Sequence, residues 1–268
     1  CFTNQLIHLN MKNGVTDQLS PFDATGNSSL TCIETLDPAY ATANWTYANG
    51  NIDEGVEFSV VCAPEGYTYV PDNNFEQALI DLGYDDVLND FVLTENISGV
   101  TTLDVSVKEI SDLTGIEGFT VLQELNVDYN QLTSLNVNGA ASLTGLWCRG
   151  NQLTSLDVSN NTALTYLFCN ENQLTSLDVI NNTALINLNC LDNQLTALDV
   201  SNNTALIYLR CEDNQLIHLN MKNGVTDQLT AFDATDNSFD CIEVNAEDVD
   251  YATENWTSGN GNIDEGVE

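Results

Sequence analysis

Residues 153–173 read LTSLDVSNNTALTYLFCNENQ, and residues 174–194 read LTSLDVINNTALINLNCLDNQ. The same 21-residue phrase is written twice in succession, and most of the changes fall in its second part. Setting Leu122, Leu143, Leu164, Leu185 and Leu206 in register extends the period as LxxLxCxxNxLxxLDVxxNxx. A short fixed period of this kind marks stacked units, none of which can bury its apolar side alone.

Each unit is itself double. One half is LxxLxC followed by Asn (Leu164, Leu167, Cys169, Asn172), and the other is LxxLDV followed by Asn (Leu174, Leu177, Val179, Asn182). Apolar residues two apart predict a short strand in each half, and the Asn three residues later predicts a turn. One unit is then one coil, and parallel coils about 4.8 Å apart bury a continuous strip of leucines.

On these residues the chain resembles the leucine-rich repeat family, in the short bacterial surface type that includes internalin-like proteins. The LxxLxLxxN phrase covers Val100 to Asn237, with Cys often in place of the third Leu and no room for a long convex helix. Val100–Val121 is a looser first coil of 22 residues, and Leu206–Gln228 has 23. The resemblance implies a β-rich solenoid of the α/β class, with parallel short strands, a helical N-terminal cap and a disulfide-type C-terminal cap.

The segment PDNNFEQALIDLGYDD (71–86) fits the helical cap. Asn73 with Glu76 forms the start signal, Phe75, Leu79 and Leu82 share one helical face, and Gly83 is the stop. Cys241 to Glu268 resembles a terminal cap, with CIEV, YATENWT and NIDEGVE as its phrases. A longer repeat also appears: residues 4–27 recur as 214–237 with three changes in 24 positions, and both copies run on to NIDEGVE. The expected organisation is a final coil and cap of one unit over 1–62, an N-terminal cap over 63–99, a solenoid over 100–240, and a cap cut short over 241–268. Cys1 takes the slot of Cys211, so the chain reads as a segment of a longer tandem array.

Composition narrows the function. Of 268 residues 43% are apolar, enough to fold, while Lys and Arg total 5 against 40 Asp and Glu, a net charge of −35. Such a surface repels nucleic acid and anionic membranes. No stretch approaches the roughly 20 apolar residues of a membrane span, and no secretory signal pattern opens the sequence.

The eight cysteines sort into two groups. Cys148, Cys169, Cys190 and Cys211 fall one coil apart on an inward position, where parallel Cβ vectors suit neither a disulfide nor a tetrahedral zinc site. They read as buried thiols acting as small hydrophobes. Cys32 and Cys62 bracket the first cap and are expected to be bonded; the partner matching Cys62 for Cys241 is expected beyond Glu268.

Comparison among the coils locates the candidate site. The LDV half barely changes, whereas the outward position between Leu and Cys is Trp147, Phe168, Asn189 and Arg210, with Asn126 before them. Tyr166 and Tyr208 flank this column on one side, and Tyr129 and Arg149 on the other. Aromatics and Arg dominate binding hot spots, so the variable half is the candidate ligand-binding face, with Trp147, Arg149, Tyr166, Phe168, Tyr208 and Arg210 as its residues. Stacking of the aromatics on one another between coils is the competing explanation. The Asp157, Asp178 and Asp199 column is expected to be held by local hydrogen bonds. Calcium is the only cofactor considered, on NGNIDEG (49–55 and 260–266), a weak match because Gly falls one place late and no Glu closes the loop. His8 and His218 have no nucleophile beside them, and the sequons at Asn160, Asn181 and Asn202 read as turn chemistry. The reading is a noncatalytic recognition or adhesion module at a bacterial surface, with a protein or carbohydrate partner. Its rival is a structural rod of tandem units joined end to end.

Overall fold

A leucine every 21 residues becomes, in the computed structural model, a file of buried side chains one coil apart. The structure describes residues 1–12, 14, 16–239 and 241–267. Asp240 and Glu268, at the boundaries of the expected terminal cap, lie outside the described residues. The chain divides into two units, Cys1–Glu65 and Gly66–Glu268.

In the first unit β1 (Leu9–Asn10), β2 (Cys32–Glu34) and β3 (Glu57–Ser59) form a parallel sheet with Leu9 beside Ile33 and Ile33 beside Phe58. Helix α1 (Pro38–Asn44) begins at Asp37, whose carboxylate accepts the Tyr40 N–H, with Pro38 in the first turn where a missing N–H costs nothing. The core is Phe22, Leu30, Ile33, Ala41, Trp45 and Ile52, with the Phe22 and Trp45 rings stacked 4.1 Å apart. Cys32 and Cys62 are disulfide-bonded.

The second unit opens with a hairpin, β4 (Tyr67–Tyr69) against β5 (Phe91–Leu93), that brackets α2 (Asn73–Asp81) and leads into α3 (Thr94–Ile97). The N-cap of α2 is Asp72 and not Asn73: its carboxylate accepts the N–H groups of Asn74 and Phe75. Glu76 does not reach back to complete a capping box, because it is fully buried and accepts the N–H groups of Asn89 and Phe91 instead. Phe75, Ala78 and Leu79 close the end of the core, while Leu82, expected on the same face, is 46% exposed. It follows the last helical turn, where Gly83 at φ +81° and the Tyr84 N–H bonded to the Leu79 carbonyl turn the chain away.

Seven strands then stack in parallel: β6 (Thr102–Asp104), β7 (Glu124–Asn126), β8 (Gly145–Trp147), β9 (Tyr166–Phe168), β10 (Asn187–Asn189), β12 (Tyr208–Arg210) and β14 (Ala231–Asp233). Their central residues Leu103, Leu125, Leu146, Leu167, Leu188, Leu209 and Phe232 are register partners. All are buried, each worth about 1.5–3 kcal/mol on removal from water. Among the described residues, the expected second strand per coil is realised as a strand pair only in β11 (Ala197–Asp199) and β13 (His218–Asn220), with isolated bridges at Asn136–Asp157 and Asn220–Glu243. Asp157, Asp178 and Asp199 each accept the N–H two residues on, which turns the backbone immediately after LDV. The terminal cap carries α4 (Val249–Asn255), whose following Trp256 packs on Phe232 at 4.2 Å.

Polar groups inside the stack are paired by a second file. Asn151, Asn172, Asn193, Asn214 and Asn237 each accept the N–H of a leucine in the preceding coil and donate to carbonyls of that coil and their own. Asn130 does the same for the Ile110 N–H, and the residue before each of these six Asn stands at positive φ: Tyr129, Gly150, Glu171, Asp192, Asp213 and Asp236. The four thiols of Cys148, Cys169, Cys190 and Cys211 are free and buried, and those of Cys169, Cys190 and Cys211 point at carbonyls of the next coil from 3.6 Å. Burial pushes the Cys169 thiol up to about 12, so these groups are inert hydrophobes at neutral pH.

Candidate binding face

The outward residues of the seven-strand sheet form two files. Asn126, Trp147, Phe168, Asn189, Arg210 and Asp233 are successive register partners, and Glu124, Gly145, Tyr166, Asn187, Tyr208 and Ala231 lie beside them. Within each strand the two positions flank an inward leucine, so both project to one side. Trp147, Phe168, Tyr208 and Arg210 are half-buried and Tyr166 is 41% exposed.

Trp147 anchors the first half of this face. Its ring lies parallel to Phe168 at 6.1 Å and to Tyr166 at 6.4 Å. It can lie flat because residue 145 is glycine: a Cβ there would come within 2.5 Å of the indole. The stacking therefore exists, and it leaves a continuous aromatic surface across two coils with its outer side open. Asn189, next in the file, is buried and accepts the Leu191 N–H.

The two arginines each have partners within the chain. Arg149 lies over the Tyr129 ring, 4.3 Å from its centroid, donates to the Tyr129 hydroxyl, and has Nε 3.6 Å from Asp128. Gly150, at φ +63°, makes room for this ring, since a Cβ there would come within 2.3 Å of it. Arg210 is paired with Glu212 and lies 3.9 Å from Asp233. Both guanidinium groups thus have carboxylates of the same chain beside them. Burial raises the carboxyl pKa of Asp128 and of Glu212, above what their arginine neighbours alone would set. The sequence missed Asp128, Glu212 and Gly145. A usable signal was present for Glu212, two residues beyond Arg210, and for Gly145, the residue without a side chain two before Trp147.

At the end of the sheet a cavity of ≈ 590 Å³ opens between β12, β14 and the terminal cap, lined by Tyr208, Arg210, Asp233, Tyr251, Asn255 and Asn262 among others. It brings Tyr208 and Arg210 together with cap residues, while Trp147, Phe168 and Tyr166 form a separate group nearer the N-terminal cap. Arg149 belongs with neither file; it sits on the turn beyond β8.

In the other half of each coil the aspartates are engaged locally. Asp157 and Asp199 titrate below the usual range: Ser159 hydrogen bonds lower Asp157, while at Asp199 the bonds from Ser201 and Asn220 outweigh a raising effect of burial. Within NGNIDEG, Asp53 spends its two oxygens on the N–H groups of Gly26 and Asn27, and Asp264 does the same for Asp236 and Asn237. These aspartates clamp the last Asn turn of each unit. Among the described residues no three His, Cys, Asp or Glu side chains converge as a metal site. His8 and His218 face Glu34 and Glu243.

No protein-family model matches the chain, and no curated protein sequence does. Solved structures do. The functional domain of InlJ from Listeria monocytogenes, described as including a cysteine ladder, aligns over 66% of this chain at 30% identity with a TM-score of 0.53. The alignment covers 51% of that domain, so the chain spans about half its length. Internalin C2 of Listeria monocytogenes aligns over 78% of this chain and 99% of its own at 19% identity, TM-score 0.50. The structure of the LRIM1/APL1C complex aligns over 57% of this chain and 30% of its own at 24% identity, TM-score 0.50. The latter two bear on fold alone. The repeat, the parallel sheet and these structural neighbours agree: the chain has an internalin-like leucine-rich repeat fold.

Proposed function

We propose that the chain is a noncatalytic recognition module of a secreted or cell-surface bacterial protein, binding a protein or carbohydrate ligand through the outward side of β8 to β12. The fold is that of a protein-interaction module. The observation that carries the proposal is the contrast within each coil: one half is constant, with its aspartates bonded to the N–H groups two residues on, and the other varies and holds Trp147, Phe168 and Tyr166 as an open aromatic surface. Since Arg149 and Arg210 are matched by carboxylates in place, the aromatic group is the anchor, stacking on sugar rings or on apolar side chains of a partner. Arg210 and Tyr208 add a polar end beside the cavity. The disulfide of the first unit fits an oxidising location outside the cytosol.

The test is a glycan and protein array probed with the wild-type chain and with Trp147→Ala, Phe168→Ala and Arg210→Ala. Loss of a hot-spot aromatic is expected to weaken binding about 30-fold or more. Asp178→Asn, on the constant half, should leave it unchanged. A second reading, a structural rod of tandem units, is favoured by the 24-residue segment repeated with three changes. That reading prevails when the aromatic variants bind normally and substitutions in the caps abolish end-to-end assembly.

A further inference from the structure

The cavity between β12, β14 and the terminal cap has a wall rich in acceptors. Asn255 donates from Nδ2 to the Tyr251 carbonyl at 2.9 Å, Asn260 to the Asn255 carbonyl at 2.8 Å, and Asn262 to the Phe232 carbonyl at 2.8 Å. Each partner is a carbonyl, which only accepts, so the orientation of the three amides is fixed. Each has spent a donor, and among the described residues nothing donates to the Oδ1 atoms of Asn255 and Asn260. The Thr230 hydroxyl also donates away, to the Ile207 carbonyl at 2.9 Å. Asp233 uses Oδ1 for the Thr235 N–H and hydroxyl, which leaves Oδ2, 3.9 Å from Arg210.

Arg210, the cation of this wall, is already paired with Glu212, which is 4% exposed. An anionic ligand would have to draw Arg210 away and leave a buried carboxylate without its cation, a costly state. A neutral sugar is also the poorer fit, because its hydroxyls need donors as well as acceptors. The first cap builds the same wall: Asn44 donates to the Tyr40 carbonyl at 2.8 Å and Asn51 to the Phe22 carbonyl at 2.9 Å. There, among the described residues, the strand that follows NIDEGV pairs with Cys32–Glu34 and not with the Phe22 segment. The wall is therefore a feature of the repeated cap.

We propose that this cavity receives the side chain of a lysine presented by a protein partner. The ammonium donates to Asp233 Oδ2 and to asparagine Oδ1 atoms, and the methylene stem lies along the rings of Tyr208 and Tyr251, which line the same cavity. Lysine fits better than arginine because Asp233 and each amide offer one oxygen apiece. A guanidinium fork is matched to paired oxygens on one group, whereas an ammonium takes single acceptors one at a time. The net charge of −35 favours the approach of a basic partner. This inference deepens the recognition reading above, on which it rests for a protein partner. The two fail separately, since the peptides below report on the cavity and the array variants on the aromatic surface.

The experiment titrates the intact, isotope-labelled chain in about 150 mM salt, where long-range attraction is screened, and follows the side-chain amide signals of Asn255 and Asn260 by NMR. The probes are acetyl-Gly-Lys-Gly-amide, the same peptide with Nε-acetyl-lysine, and acetyl-Gly-Arg-Gly-amide. The lysine peptide is expected to shift both signals saturably, and the other two to bind at least about tenfold more weakly. Asp233→Asn, which keeps an oxygen for Thr235, should weaken the lysine peptide about tenfold. Asp178→Asn, the same loss of charge away from the cavity, should leave its binding unchanged. Absence of a saturable shift, equal binding of the acetylated or the arginine peptide, or equal effects of the two variants overturns the proposal.

Discussion

Asn172 shows how much of the fold rests on single side chains. Its Oδ1 accepts the Leu153 N–H at 3.0 Å, and its Nδ2 donates to the Cys148 and Cys169 carbonyls at 3.0 and 3.1 Å. Asn172→Ala leaves a buried N–H and two buried carbonyls to find other partners, an expected loss of about 3 kcal/mol. Asn160→Ala, on the exposed turn of the same coil, should cost under about 0.5 kcal/mol. Urea unfolding of the two variants checks the contrast; equal effects would show that the file is dispensable. The importance of this position was legible, because Asn recurs there in every coil. The partners of Arg149 and Arg210 were harder to see, since variable positions carry no internal copy to compare. Tyr129, which stacks under Arg149, even stands at φ +53°, where short polar residues or glycine are favoured and an aromatic is an unfavourable choice.

Among the elements, α2 is the one whose reading was least secure in sequence. PDNNFE pointed to Asn73 as the start, but the cap is Asp72, which serves two elements at once. One oxygen caps the helix, and the other accepts the Ser111 and Asp112 N–H groups of the first coil. Burial opposes charge on Asp72, but the Ser111 and Phe75 bonds outweigh it and hold the carboxyl below its usual range. Glu76 has the reverse balance. Burial raises it above its ordinary value of 4.5 despite two backbone N–H bonds, and its second oxygen has no partner. Because the folded chain holds that proton more tightly than the unfolded one, its contribution to stability is full below 4.5 and is lost as pH rises through the raised folded value. Glu76→Gln keeps an oxygen for Asn89 and Phe91 and removes the charge. Its melting temperature is therefore expected to gain on wild type as pH rises from acid to neutral, reaching about 2–4 °C for a difference of about 1 kcal/mol. A gap that stays constant with pH would refute this account. Sequence patterning located the helix but not the role of Glu76, which depends on the hairpin β4–β5 folding over it.

For the whole molecule, cysteine chemistry separates the two units. The first unit is closed by Cys32–Cys62, and the second holds four buried thiols in a straight file. A thiol reagent should find two groups in the native chain, Cys1 and Cys241, and six once it is unfolded without reduction. Adding a reductant is expected to destabilise the first unit by about 3–4 kcal/mol and leave the melting of the second unchanged. A shift of both transitions would contradict the assignment. This division was visible from spacing alone: cysteines one period apart share an inward direction, whereas Cys32 and Cys62 fall outside the period. The asparagine file has a wider consequence. Every coil meets its neighbours through the same set of amides and carbonyls, so an extra 21-residue insert between Leu153 and Leu174 would arrive with its own closing bonds and hand on an unchanged junction. Gene-level gain or loss of one coil is then close to neutral for stability, while it adds or deletes one row of outward side chains, and the protein's reach can evolve in steps without either end being rebuilt.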